Sequence, residues 1–171
     1  ISNFEANDEI FPSEYAPVVL NDGENLIARL KWGFISSYGN QALINARAET
    51  INSKPSFRKS FYRKRCIIPI SSFYEWVNID EKKLRRRIAL PGQEIISLGG
   101  LFDVFKDKEG KDIVAFTIIT TESRGTMREI HHRMPLIIDR EKEDIWLDNS
   151  HKDMREIEGL LKPYEGEFLV E

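Results

Sequence analysis

The 171-residue chain has one cysteine, Cys66, so it forms no internal disulfide. Without paired cysteines it also lacks the spacing of a zinc site. The adjacent His131 and His132 would point to opposite sides of a regular element, so no metal is expected. No apolar run is long enough to cross a bilayer and no leader-peptide pattern is present, so no membrane partner is expected. Together these fit a reducing compartment: cytoplasmic, and nucleoid-associated in a bacterium. Strong charge of either sign is missing too. The net charge of −3 gives no global signal for nucleic acid, although a local basic face remains allowed. There is no glycine-rich phosphate loop and no Gly-x-Ser-x-Gly elbow, which removes two common routes to nucleotide and ester chemistry. Repeats, linkers and low-complexity segments are absent, so residues 1–171 read as a single domain, expected to be monomeric and without a cofactor.

What is present suffices for a core, with 41% hydrophobic and 31% charged residues. Residues 1–16, with Pro12 and then Pro17 as breakers, read as an extended lead-in. Leu26, Ala28, Leu30 and Trp32 alternate with polar residues, a strand pattern. A loop follows over Gly33 and residues 36–40. Asn45, Arg47 and Glu49 alternate with alanines and would share one strand face. Pro55 opens a helix to Lys64, with Phe57 and Phe61 inward and a basic face of Arg58, Lys59, Arg63, Lys64 and Arg65. Strands are expected over 66–70, 73–77, 95–103, 113–121 and 136–138, with an edge strand at 85–90 and charged turns at 78–84 and 106–110. Short helices are expected over 124–130, 140–148 and 152–162. The pattern is that of an α+β class: a β-rich single domain with mixed or antiparallel barrel-like sheets and short peripheral helices.

The most suggestive stretch is Phe73-Tyr74-Glu75-Trp76, a carboxylate among rings directly after an apolar run. Rings that desolvate a carboxylic acid raise its pKa and suit it to proton transfer near neutrality. Glu75 and His131 are acid–base candidates, Asn45 an amide able to orient an amine, and Arg47 and Arg133 forks for phosphate oxygens. Each has a plainer reading: Asn45 satisfying backbone, Arg47 pairing with Glu49, His131 packed in the interior. Cys66 opens an apolar strand and reads as a small hydrophobe, not a nucleophile. The basic runs 58–65 and 82–87 flank the Glu75 stretch. With nearby aromatics they resemble the groove-and-ring pattern that binds single strands.

In order along the chain, Trp32-Gly33-Phe34, Ile44-Asn45-Ala46-Arg47-Ala48-Glu49-Thr50, Arg65-Cys66-Ile67-Ile68-Pro69, Phe73-Tyr74-Glu75-Trp76, Thr117-Ile118-Ile119-Thr120-Thr121 and His131-His132-Arg133-Met134-Pro135 resemble the signature of the SOS-response-associated peptidase (SRAP) family. The resemblance runs from about Phe11 to about Trp146. It implies a domain that recognises abasic sites in single-stranded DNA and links to them covalently through an N-terminal cysteine, shielding the lesion in the DNA damage response. Carried over, Asn45 would orient the cysteine's amine, Glu75 would transfer protons and His131 would assist sugar opening. Arg47 and Arg133 would hold flanking phosphates, and Trp32 and Trp76 would shape the pocket.

The family's leading segment, Met-Cys-Gly-Arg, would lie ahead of Ile1, and its last strand beyond Glu171. Cys66 matches a different, strand-borne cysteine, so the literal chain would hold the pocket without its nucleophile. Two other functions fit the same residues: a peptidase whose main activity is self-processing, and a non-catalytic module that binds single-stranded DNA.

Overall fold

The computed structural model describes residues 9–36 and 41–171. The first half of the expected lead-in and most of the loop over 36–40 lie outside them. The fold is organised by one long strand. Strands β1 (Tyr15–Asn21), β2 (Asn25–Trp32), β4 (Arg65–Ile70), β7 (Ile96–Lys106) and β8 (Asp112–Glu122) form a closed ring of pairings. All are antiparallel except β2 with β8, which run parallel. β8 is buried over most of its length. It also carries β3 (Asn45–Arg47) in parallel and β9 (Arg133–Pro135) antiparallel, so the segments holding Asn45 and Arg133 hang from the same strand. The β-rich barrel expected from the pattern is thus present, with short helices around it.

The apolar run of β4 is buried on both faces, as expected for a strand covered on two sides. Ile67 joins one core cluster, beneath α1 (Pro55–Arg63), α3 (Glu143–Leu147) and α4 (Met154–Gly159). Cys66 and Ile68 join the other, with Val18, Leu30, Leu98 and Phe116. β7 approaches closely because Gly100 has no side chain. A Cβ there would lie 2.8 Å from the Thr117 carbonyl oxygen and would also strike Ile68. In α1, Pro55 occupies the first turn, where its missing N–H costs nothing, and Phe57 and Phe61 are buried.

A second sheet, β10 (Leu169–Val170), β6 (Lys82–Ala89) and β5 (Phe73–Ile79), stands off the barrel. Its β5–β6 hairpin departs from the expected long turn over 78–84. Ile79 pairs with Lys82, leaving only Asp80 and Glu81 in the turn, at φ 48° and 63°. Positive φ at both central residues matches the twist of the flanking strands, yet Asp-Glu lacks the glycine that would advertise such a turn.

Other expectations shift. The lead-in expected over 1–16 ends at Tyr15, where β1 begins; no strand was expected over 15–21, and it forms because Ala16 and Val18 alternate into the core at 3% and 0% exposure. Glu49 leaves β3 for a 3-10 turn over Ala48–Thr50. The strand expected at 136–138 lies at Arg133–Pro135, with Ile137 making a single bridge to Leu98. The helix expected at 124–130 shrinks to α2 (Met127–Ile130), and α4 is shorter than 152–162. The helix expected at 140–148 becomes a 3-10 turn, Arg140–Lys142, followed by α3. Arg65 belongs to the core, not to a basic face. No helix among the described residues is long and apolar enough to cross a membrane.

Candidate functional site

Glu75 lies on β5 and His131 immediately after α2, and packing of these two elements brings the side chains together. Glu75 Oε1 is 4.0 Å from His131 Nδ1. Burial raises the Glu75 carboxyl above its ordinary range, while the neighbouring imidazole pulls the other way. The cause differs from the one expected. Tyr74 and Trp76 do not desolvate Glu75, because strand alternation sends them to the opposite face of β5, where they are exposed at 39% and 51%. On that face Arg85 lies over the Tyr74 ring and Lys83 over Trp76. On the Glu75 face the cross-strand neighbour is Arg86, a member of the 82–87 basic run.

His131 is held by the first residue of β9. Its Nδ1 lies 2.9 Å from the Arg133 carbonyl oxygen and 3.1 Å from the Arg133 amide nitrogen. Protonated, Nδ1 donates to that carbonyl; unprotonated, it accepts from that amide. Either way the backbone occupies Nδ1, and Nε2 has no hydrogen bond among the described residues. Residues 131 and 132 form no regular element, so the expectation that the two rings face apart does not hold: their centroids are 4.5 Å apart. Among the described residues no group of His, Cys, Asp and Glu is arranged to hold a metal ion.

Asn45 begins β3 opposite Ile118 and is exposed. Its place is fixed through the preceding residue. The Ile44 carbonyl accepts from the Ile118 amide at 3.1 Å and from Trp32 Nε1 at 3.0 Å. Trp32, stacked on Phe116, therefore acts as a brace for β3 as well as a pocket wall. Trp32 and Trp76 both line an apolar groove of about 620 Å³, with Phe11 and Tyr74 among its walls.

Arg47 and Arg133 line a different cleft, of about 510 Å³, together with Glu122 and His132. Arg133 is not a free fork. Its guanidinium donates to both Glu49 oxygens and to Thr120, and the Arg133 bond holds the Glu49 carboxyl below its ordinary range. Sequence alternation suggested Arg47 as the partner of Glu49, but nothing local points to one 84 residues away. Cys66 is fully buried, and desolvation pushes its thiol up.

The chain matches the family model "SOS response associated peptidase (SRAP)" over residues 1–170. This chain belongs to the SRAP family. An SRAP relative, the abasic site processing protein YoqW of Bacillus subtilis, is 39% identical over 165 residues, covering 92% of this chain and 74% of YoqW. The abasic site processing protein HMCES of Xenopus tropicalis is 27% identical over 191 residues, covering 90% of this chain and 57% of its own length. A crystal structure of a Bacteroides thetaiotaomicron protein aligns with TM-score 0.81 at 31% identity, covering 92% of this SRAP chain and 74% of the other. A Bordetella bronchiseptica protein aligns with TM-score 0.84 at 22% identity, covering 98% and 88%, which shows the shared fold.

Proposed function

We propose that this SRAP chain binds single-stranded DNA at abasic sites and acts on them through Glu75 and His131. The reading is supported above all by one observation: a half-buried carboxyl of raised pKa stands 4.0 Å from an imidazole whose far nitrogen has no partner among the described residues, in a relative of abasic site processing proteins. An abasic site is an aldehyde masked as a cyclic sugar. Opening the ring moves a proton to the ring oxygen, and an amine attacking the aldehyde carbon expels water once its hydroxyl is protonated. A carboxyl and an imidazole side by side share these transfers, and such help is worth roughly 10²–10⁴-fold in rate. Asn45 would orient the amine without repelling it, and Arg47 and Arg133 would engage the flanking phosphates.

The covalent step adds a thiol to the imine carbon, closing a thiazolidine. An N-terminal cysteine carries the amine and thiol together; Cys66, fully buried in β4, does not. Peptide cleavage that exposes such a cysteine would draw on the same acid–base pair. The active form is a monomer working where DNA is single-stranded, in the cytoplasm.

The test has two parts. Affinity of the chain for an oligonucleotide with one abasic site should exceed that for the intact strand. Adduct formation by a form extended ahead of Ile1 with the family's Met-Cys-Gly-Arg leader should slow strongly in Glu75→Gln and His131→Ala. Equal affinity for the two strands, together with adduct rates unchanged in both variants, would overturn the reading.

A further inference from the structure

The cleft beside His131 holds more positive charge than the sequence motifs explain. The chain as a whole carries −3, yet Arg47, Arg124, Arg128 and Arg133 converge here against one lining carboxylate, Glu122. Glu49 neutralises Arg133. The exposed side chains of Arg47, Arg124 and Arg128 make no hydrogen bond or ion pair among the described residues. Clustered like charges repel one another, a cost that a bound polyanion removes.

Two further donors in the cleft lack partners. Ser123 lines it at 6% exposure, with a buried Oγ that has no hydrogen-bond partner among the described residues. Arg133 Nε is in the same position, although its terminal nitrogens are occupied. A buried hydroxyl left unpaired is unfavourable, and a phosphate oxygen is the acceptor that surrounding guanidiniums would bring to it. The cleft adjoins the reacting groups through the contact of the His132 ring with His131.

We propose that Ser123, Arg124 and Arg128 extend Arg47 into a phosphodiester track that grips the single strand on one side of the Glu75–His131 pair. The track rests on the reading of the site as a single-stranded-DNA site and names residues that the motif comparison did not. It contributes affinity without lesion preference, because every strand has the same backbone.

The experiment is anisotropy titration of two labelled oligothymidylates, one intact and one with a central abasic site, at several salt concentrations. Arg124→Ala/Arg128→Ala should lose about tenfold in affinity for both strands, with a salt slope shallower by about 1.4, two phosphates at about 0.7 each. Ser123→Ala should lose about threefold with no fall in melting temperature, since its hydroxyl is unpaired in the free protein. Lys108→Ala/Lys111→Ala, at the far end of β8 roughly 30 Å away, removes equal charge and should change little. Arg124→Gln/Arg128→Gln serves if the alanine pair melts early. A loss no greater than in the Lys108/Lys111 control, or an unchanged slope, overturns the track. Failure of the unaltered chain to prefer the abasic strand would instead count against the proposed function, so the two readings fail separately.

Discussion

Arg133 closes its guanidinium on Glu49, with Nη1 donating to Oε1 at 2.9 Å and Nη2 to Oε2 at 3.0 Å. The pair joins the 3-10 turn that follows β3 to β9 across β8. It sets a competition, because any phosphate that approaches Arg133 meets a carboxylate already there. Glu49→Gln should therefore raise affinity for single-stranded DNA by about fivefold, roughly 1 kcal/mol, while Arg133→Ala lowers it. Glu49 is partly exposed, so the same change should cost no more than about 1 kcal/mol of stability. With its pKa lowered in the fold, Glu49 contributes stability present above the ordinary carboxylate range and lost as pH falls through the lowered value. Weaker DNA binding by Glu49→Gln would refute the competition.

Glu75 behaves in the opposite sense. Burial raises its pKa, so its contribution is fully present below the ordinary carboxylate value and is lost as pH rises through the raised one. Glu75→Gln should melt above the wild type near neutral pH, with the gap closing on acidification. Thermal melts of both proteins across that range check the sign. A gap that is constant with pH, or that widens in acid, would mean that burial does not disfavour the charged carboxylate.

Arg65 is a structural cation. It is fully buried and donates to the carbonyls of Phe61 at 2.9 Å, Trp146 at 2.9 Å and Asp148 at 2.5 Å. Desolvation lowers its pKa to about 10. Arg65→Ala strands three acceptors between α1, β4 and α3, and should cost about 3–5 kcal/mol in denaturant unfolding. Arg65→Lys should recover little, because one ammonium does not span the three carbonyls. A loss in Arg65→Ala no larger than for Arg58→Ala on exposed α1 would contradict this.

Cys66 should resist alkylation in the native state and react fully in denaturant, read as a mass shift. Cys66→Ala leaves a small void beside Ile68 and should cost about 1 kcal/mol. In cysteine-extended protein the adduct yield should survive. Its loss from a folded variant would make Cys66 the nucleophile.

Periodicity located most strands because alternation and apolar runs are local properties of the chain. Leu26–Trp32 and Ile113–Thr121 fall inside β2 and β8. Pro17 disguises β1 in the sequence: it pairs with Arg29 of β2 but lies beyond the one pairing of β1 with β4, at Val19, so its missing N–H costs no ladder bond. Arg65 ends a run of basic residues that look alike in sequence. Only the change from α1 to β4 turns Lys64 towards Asp103 and Arg65 into the core.

By itself the sequence determined the β-rich class and the family, because these depend on residue types and their order. The tertiary structure alone decided which groups meet. β8 carries β3 on one side and β9 on the other, so Glu49 reaches Arg133 while Arg47 has no ion pair among the described residues. Packing of α2 on β5 brings His131 to Glu75, and the pleat of β5 sends Trp76 to the other face. Such contacts depend on chain closure over long separations, which no local window of residue types encodes.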